Sequence, residues 1–226
     1  MVELRREYRD RMTALEDDVL SMGHLVLDML DEALRALAAQ DTERAADVIR
    51  SDDRLDARYV DVQQQILTTL ALQAPVASEL RLLSAFIHAN IHLERMGDLC
   101  VNIAKFVQLA EPFDHDPDLL DQLQEMGGHA RRLISRSLDA VARRDLDIVR
   151  QLPELDEPID QLNKGLFRRL VQLAADDETR LDWAIRMVLV ARYIERIGDH
   201  AVDIGEQVIF AVTGEQVELA SNSPVD

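Results

Sequence analysis

Eight carboxylates stand in four pairs of the form acid-x-x-x-acid: Asp52 with Asp56, Glu94 with Asp98, Asp156 with Asp160, and Glu195 with Asp199. Four residues apart on an α-helix, the members of each pair share a face. On a helical wheel Leu80, Leu83, Ile87, Ile91, Asp98 and Val101 fall within about a 90° sector around Glu94. Leu181, Ala184, Val188 and Val202 share the sector of Glu195 and Asp199. Ala45, Val48, Ile49, Tyr59, Ile66 and Leu70 flank Asp52 and Asp56, while Ile159, Phe167 and Leu170 lie beside Asp156 and Asp160. An arbitrary pair of acids in an acidic protein is a solvated helix face. Four pairs on apolar stripes are too regular for that.

Where two such pairs face each other, each close like-charge contact costs about 4 kcal/mol at a separation of ~4 Å and an effective dielectric of ~20. Protonation relieves this, because crowded carboxylates raise one another's pKa. A multivalent cation relieves it more economically. All-oxygen ligands suit hard ions such as Mg, Ca, Mn or ferric iron, and pairs without Cys or His disfavour a structural zinc site. Asn102, four residues after Asp98, adds an amide oxygen; Asp203 takes the matching place after Asp199, so the two sites differ in charge. His24, His88 and His92 are read as polar-tipped helix residues rather than ligands. His200 directly follows Asp199 but points off the acid stripe, and Cys100 is read as a small core residue.

The elements that must position these acids are written twice. Glu94 to Ile103 read ERMGDLCVNI and Glu195 to Ile204 read ERIGDHAVDI, 101 residues later. The upstream segments DDRLD (from Asp52) and DEPID (from Asp156) recur 104 apart, as do Met22-Gly23 and Met126-Gly127. Each unit reads as three helices. The first unit, residues 1–110, has helices from near Tyr8 to Ala39, from an N-cap at Asp41 to about Ala74 before Pro75, and from about Val76 to Leu109. Residues 111–118, with Pro112 and Pro117, are the expected linker. The second unit, 119–214, has helices near Asp118 to Arg143, Glu157 to Ala174 and Asp177 to Val212, closed by Thr213-Gly214. Residues 215–226 have no apolar period and read as a flexible tail. The expected fold is all-α: two tandem, similar three-helix bundles. Pro158 poses an alternative, since proline is tolerated in a helix's first turn. Either the helix starts near Glu157, making Asp156 a cap, or it is bent there.

Composition agrees with helices. Of the 226 residues 47% are hydrophobic and only 4% aromatic, a balance that favours helix over strand. With 25 Lys plus Arg against 43 Asp plus Glu, the net charge is −18. Phosphate backbones and anionic lipid surfaces repel such a chain, so no nucleic-acid partner is expected and cations are its natural small partners. One cysteine cannot form an internal disulfide, and there is neither an apolar signal region nor a run long enough to span a membrane, so a cytosolic location is expected with no direct membrane insertion.

The duplicated ER-x-GD-x-x-x-[ND]-I segments with their upstream D-x-x-x-D segments resemble the PhoU family, accessory proteins of the phosphate-specific transport system, over essentially the whole chain to Gly214. The resemblance implies homodimers and metal ions (Fe, Mn, Mg or Zn) at Asp52, Asp56, Glu94 and Asp98 in the first unit and Asp156, Asp160, Glu195 and Asp199 in the second. Asp203 stands where the first unit, and commonly the family, has Asn. The implied role is cytoplasmic negative control of phosphate uptake and starvation signalling, linking the phosphate ABC transporter, through its ATPase subunit, to a sensor histidine kinase, with recruitment to the inner membrane face by these partners. No nucleophile or phosphate-cradling loop stands out, which favours a non-catalytic adaptor. The alternative is a carboxylate-bridged dimetal enzyme or iron store. Such proteins usually carry Glu-x-x-His, whereas Gly97 and Gly198 stand three residues after Glu94 and Glu195. A metal-free scaffold is a third possibility.

Overall fold

Local signals set most helix ends in the computed structural model, which describes residues 2–73, 75–109 and 116–219. Helix α1 (Val2–Ala39) ends at Gln40 in the left-handed conformation, φ 52°. The Asp41 carboxylate then accepts the backbone N–H groups of Glu43 and Arg44 at 3.1 and 2.9 Å, capping α2 (Thr42–Gln73) as expected. Pro75 lies between α2 and α3 (Ala77–Leu109). Residues 110–115, most of the expected linker, lie outside the described residues. Helix α4 (Pro117–Arg143) claims the linker's last two positions, because Asp116 accepts the Leu119 N–H at 3.3 Å and Pro117 suits a first helical position.

The second unit departs from the expectation in three places. A four-residue helix, α5 (Leu146–Val149), follows α4, capped by the Asp145 carboxylate. Helix α6 (Leu152–Asp176) begins five residues before Glu157, so Pro158 is inside it and Asp156 is a helical residue rather than a cap. Pro153 occupies the permissive start; Pro158 then forgoes one intrahelical bond, a local loss set against the burial of Leu152, Asp156 and Ile159 on one face. Finally, a 3-10 turn (Glu178–Arg180) precedes α7 (Leu181–Thr213), which ends at Gly214, φ 83°, with the Gly214 N–H donating to the Phe210 carbonyl at 2.9 Å. In the expected tail, the Leu219 N–H donates to Glu206 Oε1 at 2.6 Å and its side chain packs on the core, while residues 215–218 are exposed. Residues 220–226 lie outside the described residues.

Helices α1, α2 and α3 pack together, and α4, α6 and α7 do likewise. The two bundles share one continuous core, because α3 packs against α7 and α1 against α4. Glycines allow the close approaches. A methyl group added at Gly23 of α1 would come within 2.4 Å of Leu138 of α4, and one added at Gly127 of α4 within 2.0 Å of Leu34 of α1. Both the glycines and the leucines are 104 residues apart. The contact is therefore reciprocal, as a pseudo-two-fold between repeats requires. Ion pairs flank it, Arg131 with Asp31 at 2.7 Å and Arg144 with Glu16.

The same device recurs at the acid motifs. A methyl at Gly97 of α3 would lie 2.1 Å from Leu55 of α2, a fully buried leucine. At Gly165 of α6 there is nothing within 4 Å. Urea unfolding followed by circular dichroism in chelator should show Gly97→Ala destabilised by about 1–3 kcal/mol through overpacking. Gly165→Ala should be stabilised by about 0.5–1 kcal/mol through helix propensity alone. Equal shifts of the two would remove close helix approach as the reason for Gly97.

Candidate metal centres

In the first repeat α2 and α3 bring Asp52, Asp56, Glu94 and Asp98 to one side of their seam. The glycine is what lets them meet: Asp52 Oδ1 would lie 3.6 Å from a methyl on Gly97, so the Asp52 carboxylate reaches across to the α3 backbone. Asp52 is half-buried, and its pKa is pushed up to about 6, first by desolvation and then by the charges of Asp56, Asp98 and Glu94, with Lys105 acting the other way. Glu94 is raised too, by desolvation and then Asp98. Arg95 lies 3.6 Å from Glu94 and 3.8 Å from Asp98, a partial counter-charge on an exposed side chain. Asn102 is half-buried one turn beyond Asp98.

The second repeat holds two of the corresponding acids more deeply, while Asp199 is exposed. Asp156 is 3% exposed and Glu195 8%. Asp156 crosses toward α7, its Oδ1 lying 2.7 Å from where a methyl on Gly198 would stand. Burial, then Asp160, Asp199 and Glu195, push Asp156 up to about 7. Glu195 is also pushed up to about 7, by burial and Asp199 against the opposing pull of Arg192. Asp199 shifts upward by desolvation and then by Asp160. One Glu195 oxygen accepts from Arg192, while Glu195 Oε2 and Asp156 Oδ1 are buried without a hydrogen-bond partner. Orphaned buried carboxylate oxygens in an all-oxygen cluster fit a hard cation.

The apolar stripes of the sequence are buried or half-buried except at four positions. Leu83, Val101, Ala184 and Val202 are buried, but Leu80, Ile91, Leu181 and Phe167 are exposed. Asp52, Glu94 and Asp98 sit half-buried at the margin of the core, whereas Asp156 and Glu195 are buried in it. Among the described residues neither quartet brings three ligand atoms within 4.8 Å of one another. An ion held by three of these side chains requires them to close inward by rotation about their own χ angles.

Asp203 is placed differently from Asn102. Its charge still raises the pKa of Asp199, but its Oδ2 lies with two histidines, 3.5 Å from Nδ1 of both His92 on α3 and His200 on α7; the two Nδ1 atoms are 3.2 Å apart. His92 is held below the usual imidazole range by burial. Reading each histidine along its own helix missed this group, because its members come from different repeats. The only signal in the sequence was that Asp203 replaces the first repeat's Asn102. Cys100 is fully buried, with its thiol pushed up by desolvation, as a core residue should be.

Comparison with known proteins agrees with the duplication. The family described as PhoU domain matches residues 19–107 and again 123–208. A phosphate-specific transport system accessory protein PhoU homolog of Clostridium acetobutylicum is 29% identical over 216 residues, 95% of this chain and 98% of that protein. The phosphate-specific transport system accessory protein PhoU of Serratia marcescens is 32% identical over 211 residues, 93% of this chain and 86% of that one. The crystal structure of PhoU from Pseudomonas aeruginosa superposes with a TM-score of 0.86 at 29% identity, covering 92% of this chain and 100% of that chain. The phosphate transport system regulatory protein PhoU from Streptococcus pneumoniae gives 0.86 at 28% identity, covering 94% and 100%. With both repeats matched and the relatives aligned nearly end to end, the chain belongs to the PhoU family.

Proposed function

We propose that this protein is a non-catalytic regulator of phosphate homeostasis, an accessory of the phosphate-specific transport system that restrains phosphate uptake and phosphate-starvation signalling. The family match over both repeats carries the reading, and the names of the relatives supply its physiological context. In this proposal it works in the cytoplasm and links the transporter's ATPase subunit to a sensor histidine kinase. Among the described residues no helix is long and apolar enough to cross a membrane. Phe167, Val171, Leu181, Ile185 and Leu189 form an exposed apolar face on α6 and α7, which supports docking on another chain, either a partner or a second copy.

The quartets Asp52, Asp56, Glu94 and Asp98, with Asn102 beside them, and Asp156, Asp160, Glu195 and Asp199 are proposed to hold hard cations such as Mn, Mg or ferric iron. Such an ion supplies positive charge that offsets the crowding of the carboxylates and ties α2 to α3 and α6 to α7. The chain's own contribution is positional. Gly97 and Gly198 admit the facing carboxylates, burial strengthens the field between them, and Arg95 and Arg192 hold two acids in place. The orphaned oxygens of Asp156 and Glu195 support this use of the acids.

Deletion of the gene should leave phosphate-starvation genes expressed in rich phosphate, and a pull-down from phosphate-replete cells should recover the transporter ATPase and the kinase. Normal repression in the deletion strain would remove the regulatory role. For the metals, the sign of the pH dependence is determined. Asp52 is raised to about 6 and Asp156 and Glu195 to about 7, all above their ordinary values of 3.8 and 4.5. The folded state therefore binds more protons than the unfolded one in this window, and stability falls as pH rises. In chelator, this contribution should be full below about pH 4 and lost as pH climbs through 6 to 7. Mn(II) at ~100 times its Kd should restore about 2.7 kcal/mol per site at neutral pH. Asp156→Asn should raise the melting temperature of the metal-free protein and blunt the gain from Mn(II); an unchanged gain would remove the second site.

A further inference from the structure

We propose that His92, His200 and Asp203 form a separate binding site for a four-coordinate transition-metal ion of the zinc class, clamping the two repeats together across the α3–α7 seam. The proposal does not depend on the carboxylate quartets. It rests on the ligand types and on the triangle they form.

His92 Nδ1, His200 Nδ1 and Asp203 Oδ2 are separated by 3.2, 3.5 and 3.5 Å. A tetrahedral ion with bonds of about 2.0–2.1 Å to imidazole nitrogen and carboxylate oxygen holds its ligands about 3.3–3.4 Å apart. The three atoms already stand at that spacing. One face of an octahedral ion with bonds of about 2.1–2.2 Å would need them only about 3.0 Å apart. The observed triangle is the wider one. Two imidazoles and a carboxylate are also a softer donor set than the quartets, and they favour zinc, cobalt or nickel over magnesium or calcium.

Hydrogen bonding alone accounts for the group poorly. One Nδ1–H can donate to the other Nδ1, but Asp203 Oδ2 is then 3.5 Å from both rings, beyond the ~2.7–3.2 Å of a good hydrogen bond to either. An acceptor equidistant from two nitrogens is placed for an ion between the three. The fourth corner is open to water, since His200 and Asp203 also line a groove of about 900 Å³ along α7, shared with Asp156 and Asp199 of the second quartet, Arg196 and Glu206.

The site occurs once, which separates it from the duplicated acid motifs. At an offset of 101 residues, the counterparts of His92, His200 and Asp203 are Tyr193, Leu99 and Asn102. There the seam is closed by stacking of Phe106 on Tyr193, with ring centroids 6.0 Å apart. One end of the inter-repeat seam is thus held by aromatic packing and the other by polar groups that converge without filling it. An ion at the polar end would fix α3 against α7 there.

Full-length protein stripped of metal is titrated with Co(II). One equivalent should give the intense visible absorption of a four-coordinate ion, which six-coordinate all-oxygen sites do not produce, and Zn(II) but not Mg(II) should bleach it. His200→Leu and Asp203→Asn install residues that the first repeat carries at the matching positions. Each should weaken this cobalt binding by more than about 100-fold, beyond the range of an outer-sphere change. Asp98→Asn, in a carboxylate quartet, should keep it. Absence of the absorption in the parent protein, its persistence in Asp203→Asn, or its loss in Asp98→Asn would each overturn the site. If circular dichroism shows His200→Leu unfolded, the near-isosteric Asp203→Asn decides alone. Failure of Mn(II) to stabilise the quartets, with the cobalt signal intact, would count only against the metal role proposed above.

Discussion

Two helices can press carboxylates against each other only where their backbones come close and something offsets the repulsion. That constraint organises both repeats. Gly97 and Gly198 let Asp52 and Asp156 reach across the seam, where any larger residue would hold the helices apart. Once across, the acids lose water and gain like-charged neighbours, and both effects favour the protonated form. The glycine of the ER-x-GD motif is thus as much a part of the site as its acids. It sets the distance at which their fields add.

The two repeats are similar without being equivalent. The second buries two of its acids, Asp156 and Glu195, with one oxygen of each unpartnered, whereas the first buries none of its four. Depth raises the cost of a bare charge and the gain from neutralising it. The extra turn α5 belongs to this difference. It carries the chain from Arg144 to Leu152 so that α6 starts early, and Leu152 packs where Gly205 leaves room on α7. The reciprocal packing of Leu34 on Gly127 and Leu138 on Gly23 holds the repeats in register while their peripheries diverge.

Much of the helical scaffold was legible because its signals are local. Asp41 as a cap, Pro75 as a stop and Gly214 as a terminal left-handed residue act within a few residues of themselves. The start of α6 was not, because Pro158 is unfavourable locally and is tolerated for burial that only the assembled bundle provides. Part of the acid stripe on α3 was placed too deep for a related reason. A helical wheel finds the face that carries Glu94, but Leu80 and Ile91 on that face are uncovered, since α2 and the opposite repeat pack to one side of it.

By itself the sequence determined the duplication, the all-helical class, the four acid pairs and the resemblance to a family. These are properties of spacing, and spacing survives without coordinates. Tertiary structure decided what the acids face, how deeply each repeat buries them, and that Asp203 meets His92 and His200. The physical reason is that a contact between α3 and α7 joins residues about a hundred positions apart. No period along either helix records it, and only the packing of one repeat on the other brings those side chains together.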